Sequence, residues 1–217
     1  FPTSFFFGAV YTEGLFFLLF VATLYFLKKG RYGLTAICTF LASLTRLIGV
    51  FLLIPILLSL IQKSKIKNKN SQSKFKILLT ILAPLLGLGL YSIFLWQTTG
   101  DPLSFLNSQW AFGAHRSSNI IFLPQVYYRY LSIFFTAKLN FQYFISLFEF
   151  FVFTFVLLII ILDLIKNFKL KIKNFDRLAL GIFSIINLLL PTLTGTLSSI
   201  PRYALFSLSF FLYLSQI

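Results

Sequence analysis

Long apolar runs alternate with short polar links along the 217 residues, and the runs have the length of membrane helices, not of strands. The first run contains FFFGAVYTEGLFFLLF, and others cover residues 34 to 62, 77 to 96, a stretch ending near Leu164, and 178 to 193. A last run begins at Tyr203 and is still apolar at LFSLSFFLYLSQI. The pattern predicts an all-α chain, a polytopic transmembrane helical bundle with about seven membrane segments.

The links between runs set the direction of the path. Of the 19 Lys and Arg, 14 fall in three links: KKGR, the stretch from Lys63 to Lys76, and the stretch from Lys166 to Arg177. Basic links mark the cytoplasmic side. By parity, residues 77 to 96 cross outward, 97 to about 144 stay outside, and TLTGTLSSIPR turns outside. Segment 34 to 62 begins and ends at basic links, so it must go out and return within 29 residues. This predicts a hairpin turning at LTRLIG, with Arg46 and Gly49 at the break. Each limb is then about 20 Å long, short of a core of roughly 30 Å, which implies a locally thinned or protein-filled outer leaflet.

Composition agrees with this setting. The chain is 58% hydrophobic with 30 Phe, and only 11% of it is charged. The net charge of +14 does not point to nucleic acid, because its carriers are bunched in the links. The lone Cys38 lies in an apolar run and offers neither a disulfide nor a metal cluster. Beginning at Phe1 without any Met and ending inside an apolar run, residues 1–217 read as one integral membrane domain truncated at both ends.

The path collects the unusual polar residues on the outer face. A charge near the membrane core costs about 2.5 to 3.5 kcal/mol, so such residues normally face a cavity or a partner. Glu13, behind Thr12 in YTEGLFF, either sits in a capped first helical turn or binds a sugar hydroxyl or an arginine. Arg46 ends a helical limb, where the dipole favours a cation. In TTGDPLSF, Gly100 breaks the preceding helix and Asp101 is a natural cap before Pro102. Arg202 follows Pro201 into a first helical turn, where the dipole disfavours a cation. It therefore suits either a phosphate brought to it or snorkelling to headgroups. His115 and Arg116 share a loop with Trp110 and Phe112, a mix suited to carbohydrate, headgroups or plain solvent. Arg129, among three Tyr in VYYRYL, marks an interfacial helix. Glu149 falls in the outer half of its span, while Asp163 and Asp176 balance cytoplasmic lysines.

Signatures for nucleotide hydrolysis, zinc peptidase and dinucleotide chemistry are missing, and no cofactor or metal-ligand set is identifiable in this stretch. The blocks FPTSFFFGAVYTEGLF, LASLTRLIGVFLLIP, GDPLSFLNSQWAFGAHR and IPRYALFSLSFFL, in that order, resemble the glycosylphosphatidylinositol mannosyltransferase 2 family and its prokaryotic relatives. These are membrane glycosyltransferases of the GT-C class. The first and last blocks are distinctive, whereas LTRxxG is shared widely within the class. Gly14 departs from the serine of the family's YTES, and the family's catalytic acid belongs to a loop expected upstream of Phe1.

The resemblance implies inverting transfer of mannose or a similar hexose from a polyprenyl-phosphate sugar to a lipid or glycan acceptor at the outer face. The setting would be a prokaryotic plasma membrane. An acid from the upstream loop would serve as base, and cations would receive the lipid phosphate. Arg202 leads that set, with Arg46 and Arg116 behind it. Glu13 would orient the acceptor or fix an arginine, and Asp101, His115 and Tyr203 complete the substrate-binding group.

Two other classes fit a polytopic chain. A transporter or lipid flippase should show paired broken helices or internal repeats, and no block recurs. A non-catalytic subunit of a glycosylation complex would need none of the outer-face arginines. The path itself predicts that, with Cys38 replaced by Ala, Ser104→Cys reacts with an impermeant thiol reagent applied from outside. Ser71→Cys does not; the reverse pattern would overturn the topology.

Overall fold

The computed structural model describes residues 4–8, 11–64, 71–112, 116–117, 119–169 and 175–216. Most of these residues are helical, with no strand among them. The order is α1 (Thr12–Lys28), α2 (Tyr32–Thr45), α3 (Leu53–Ser64), α4 (Ser71–Thr99) and α5 (Ser104–Asn107). There follow α6 (Leu123–Thr136), α7 (Phe141–Lys169), α8 (Phe175–Leu189), α9 (Ile200–Tyr203) and α10 (Leu208–Leu214). Short 3₁₀ turns join several of them. Three stretches are long and apolar enough to cross a membrane: Lys74–Thr99, Phe141–Asn167 and Asp176–Thr194. Tyr32–Thr45 and Leu47–Gln62 are apolar but shorter.

The three long helices play different parts. In α4 and α7 only 22% of the apolar stretch is buried, against 39% in the stretch containing α8, so α8 is the central post. Phe148, Phe151, Phe155, Leu158 and Leu162 stand exposed at successive three- and four-residue steps along α7. A stripe of that kind suits a lipid-facing surface. One side of α8 joins Phe183 to Phe16, Phe20, Leu52 and Phe206. Its other side joins Leu188 to Val126, Phe153, Val156 and Ile160.

Small residues bring α2 against its neighbours. Thr35, Ala36, Thr39, Ala42 and Ser43 are its buried positions, and small side chains let backbones approach closely without a hydrophobic driving force. On α4, a Cβ at Gly87 would stand 2.6 Å from the Phe40 carbonyl oxygen and 2.8 Å from the Ser43 Cβ. Thr39 donates to the Thr23 hydroxyl at 3.4 Å, and Thr80 donates to the Tyr32 carbonyl at 2.9 Å, which ties α2 to α1 and α4.

The break predicted at LTRLIG is present. Helix α2 stops at Thr45, Arg46 is extended, and Leu47–Leu52 forms a 3₁₀ turn. A Cβ at Gly49 would lie 2.6 Å from the Ala42 backbone, so the chain folds straight back on α2. The limbs then part, because α3 packs against α8 more than against α2. The chain thus turns back where predicted, but the two limbs do not pair along their length, and Leu52 and Ile56 are buried within the bundle.

The last run also departs from the single helix its apolarity predicts. It is divided into α9, a 3₁₀ turn at Ala204–Phe206, and α10. The Ser207 amide turns back to the Ala204 carbonyl at 3.1 Å, which deprives the Tyr203 carbonyl of its helical donor. The fully buried Asn187 of α8 supplies a replacement, donating to that carbonyl at 2.7 Å and to the Ser207 hydroxyl at 3.4 Å. A buried carbonyl left without a donor in a lipid setting would cost several kcal/mol. At the other end of α7, the fully buried Asp163 pairs with Arg177 at 2.8 Å and accepts from Ser209 at 2.6 Å. Among the described residues, the partners of Asp163 are thus an arginine of α8 and a serine of α10.

Gly87→Ala should force α2 and α4 apart and destabilise the protein by about 1–3 kcal/mol. Gly89, where a Cβ meets nothing within 4 Å, gives the control. Gly89→Ala should be neutral or stabilise by up to about 1 kcal/mol, as read from unfolding midpoints in detergent micelles.

Candidate functional site

Three chain segments meet on one carboxylate. Tyr11 is extended and occupies the cap position of α1, so Thr12 is the first helical residue and its side chain does not cap. Glu13 then sits in the first turn with its side chain fully buried. Gly14 lets the preceding 3₁₀ turn (Ser4–Phe7) fold over the start of the helix, since a Cβ there would lie 2.7 Å from the Phe7 carbonyl oxygen. That fold-over places Phe6 beside Tyr11, with ring centroids 5.6 Å apart.

Arg46 reaches the carboxylate from the break after α2, and Arg202 reaches it from α9. Both bind the same oxygen: Arg46 Nη1 lies 2.5 Å from Glu13 Oε1 and Arg202 Nη2 lies 2.7 Å from it. Aromatic faces enclose the pair. The Arg46 guanidinium lies 5.2 Å from the Tyr203 ring centroid and 5.3 Å from that of Phe206. The Arg202 guanidinium lies 5.1 Å from the ring centroid of Phe6 and 5.3 Å from that of Tyr11. Each such contact contributes about 0.5 to 2 kcal/mol, more as water is excluded.

The triad keeps a surplus. Two guanidiniums against one carboxylate leave one formal positive charge. Arg202 retains 28% side-chain exposure, while Arg46 retains 11%. Among the described residues, Glu13 Oε2 and Arg202 Nε are buried without a hydrogen-bond partner. The arrangement can therefore attract an anion at its Arg202 side, and unused donor and acceptor capacity lies within it.

The other predicted residues divide. Tyr203 joins the triad as the ring beneath Arg46. Asp101 does not join it. Its Oδ1 accepts from the Leu103 amide at 2.9 Å and its Oδ2 from Asn107 Nδ2 at 2.7 Å, so it organises the start of the short α5. Arg116 belongs to a second group, close enough to Glu149 for their charges to interact. His115 lies outside the described residues.

That second group surrounds the turn leading into α9. Glu149 Oε1 accepts from the Ser199 amide at 3.0 Å, and its Oε2 lies 3.3 Å from the Tyr130 hydroxyl. The same hydroxyl accepts from the Leu197 amide at 2.9 Å. Burial pushes the Tyr130 phenol up to about 12, so it stays protonated and able to donate at neutral pH. Ser199 adopts φ +68°, a left-handed conformation that costs a non-glycine residue of order 1–3 kcal/mol. Glu149 holds it there, and Arg202 emerges three residues later. Arg129 donates to the Gly195 carbonyl at 3.3 Å, where φ is +86°.

Glu149 could have been singled out as a lone carboxylate in SLFEFF, and Asn187 as a lone amide in SIINLLL. Nothing in the sequence paired them with the turn at Ser199 or the break at Ser207. Comparison with protein-family models, with curated proteins and with solved structures finds no match for this chain.

Glu13→Gln should leave two guanidiniums without a counter-charge and destabilise the protein by about 3–5 kcal/mol. Arg202→Gln added to Glu13→Gln should cost at least about 1 kcal/mol less than it does alone, because the residues act as a unit. Additive losses in a double-mutant cycle of denaturation midpoints would show that the triad is not coupled.

Proposed function

We propose that the chain is the membrane portion of a GT-C-type hexosyltransferase, a mannosyltransferase by resemblance. It would use a polyprenyl-phosphate sugar at the outer face of a prokaryotic plasma membrane. The observation that carries this reading is the convergence of Glu13, Arg46 and Arg202. They come from three separate sequence blocks that carry the resemblance, and they share one carboxylate oxygen.

The reaction releases a lipid phosphate, whose negative charge grows as the glycosidic bond breaks. A cation held at a fixed position stabilises that charge without reorganising when it forms. Arg202, the more exposed arginine of the triad, takes the phosphate in this reading. Glu13 and the aromatic faces fix its orientation, and Arg46 adds to the positive field while bracing the same carboxylate. The resemblance names no residue of this chain as the base that withdraws the acceptor proton. If the basic links lie on the cytoplasmic side, the triad would lie on the side away from cytoplasmic sugar nucleotides, in keeping with a lipid-linked donor.

Membranes containing the intact protein are supplied with labelled polyprenyl-phosphate mannose or, after depletion of the native carrier, with labelled nucleotide-linked mannose. Label should move to lipid or glycan only from the polyprenyl donor. Arg202→Gln should lower that transfer by roughly 100-fold or more, the usual effect of removing a group that stabilises developing charge. Transfer from the nucleotide donor alone would overturn the donor and the sidedness. Full transfer by a folded Arg202→Gln protein would favour a scaffold role for the triad.

A further inference from the structure

A cavity of about 380 Å³ opens beside the turn held by Glu149, between α6, the start of α7 and residues 195–198. Its volume lies in the range of small-molecule sites, roughly 300–1,000 Å³. It is separate from the triad, whose three charged residues do not line it.

The lining has the chemistry of a polyol site. Arg129 offers a guanidinium which, among the described residues, meets only a carbonyl at 3.3 Å and no carboxylate. Glu149 offers a carboxylate whose two oxygens each receive one donor, leaving lone pairs for more. Gln142 and Tyr143 add an amide and a phenol, both able to donate and accept. A sugar hydroxyl also does both, so vicinal hydroxyls can give to the carboxylate while taking from the guanidinium. A phosphate matches this lining less well, because it would meet the Glu149 carboxylate as well as the Arg129 guanidinium; Arg116, whose charge also acts on Glu149, does not line the cavity.

One wall is apolar and opens to the hydrocarbon-facing surface. Ile133, Ala137 and Ile145 line it, and Ile145 is itself exposed between the exposed Phe144 and Phe148. An alkyl chain leaving the cavity along that wall would lie on the outward stripe of α7.

We propose that this cavity binds the sugar headgroup of an amphiphile, with the hydroxyls on Arg129, Gln142 and Glu149 and the tail along Ile145. The site is additional to the one at Arg202, and its existence does not depend on sugar transfer. Because Glu149 also holds Ser199, an occupant would sit one hydrogen bond from the turn that presents Arg202.

The test uses the intact protein in phosphatidylcholine nanodiscs, with tritiated octyl glucoside and octyl mannoside well below their micellar concentrations. At least one glycoside should bind saturably. Gln142→Leu, at an exposed position, and Ser146→Leu, which fills the cavity, should each weaken binding roughly tenfold or more. The methyl glycoside should compete only at concentrations roughly 100-fold higher, because it lacks the chain. Octyl phosphate should not compete. Absence of saturable binding, or binding unchanged in a folded Gln142→Leu protein, would overturn the proposal. Preference for octyl phosphate would make the site an anion site, and equal affinity for methyl and octyl glycosides would make it a site for free sugar. Either result also rejects the proposal.

Discussion

A carboxylate buried in a bundle of apolar helices is costly unless it is paired, and the end of this molecule that holds Glu13 is organised around that constraint. Glu13 cannot lie where it does without Arg46 and Arg202, and neither arginine can be enclosed by aromatic rings without Glu13. The requirement reaches into the backbone. The extended residue after α2, the close return at Gly49 and the short α9 are the local deformations that deliver the two guanidiniums. Gly14 has a matching role, since a side chain there would push away the turn whose Phe6 covers Arg202.

The triad is not isolated. The turn that carries Arg202 is also gripped by Glu149 of α7, through a serine in a left-handed conformation. Helices α1, α2, α6 and α7 therefore all bear on residues 195–202, directly or through one side chain. Ion pairing is repeated where Asp163, Arg177 and Ser209 join α7, α8 and α10. Along α7, Glu149 and Asp163 are 14 residues apart, or about 21 Å at the helical rise, so this helix is pinned by a carboxylate near each end. Between them one face packs into the core through Phe153, Val156 and Ile160, and the opposite face, with Phe151, Phe155, Leu158 and Leu162, is exposed.

Much of this was legible where the signal was local. The break at LTRLIG showed as an arginine and a glycine inside an apolar run; Asp101, expected as the cap in GDPLSF, instead holds the turn before α5, whose cap position is Leu103. Partnership between distant residues was less legible. The sequence put Glu13, Arg46, Arg116 and Arg202 on one side without saying which cation meets which anion, and of the three arginines only Arg46 and Arg202 pair with Glu13 among the described residues. The parting of α2 and α3 and the division of the last run depend on what α8 offers them, namely an apolar face for Ile56 and an amide for the Tyr203 carbonyl. No periodicity within either segment carries that information.

The amide of Asn187 imposes an order of events. Until α8 is in place, the Tyr203 carbonyl has no donor except water, so the run that follows cannot fully leave the aqueous phase in its native, broken form. Because α8 precedes that run in the chain, synthesis delivers the donor before the acceptor. The kink of that run is therefore a feature it borrows from α8 and does not carry by itself.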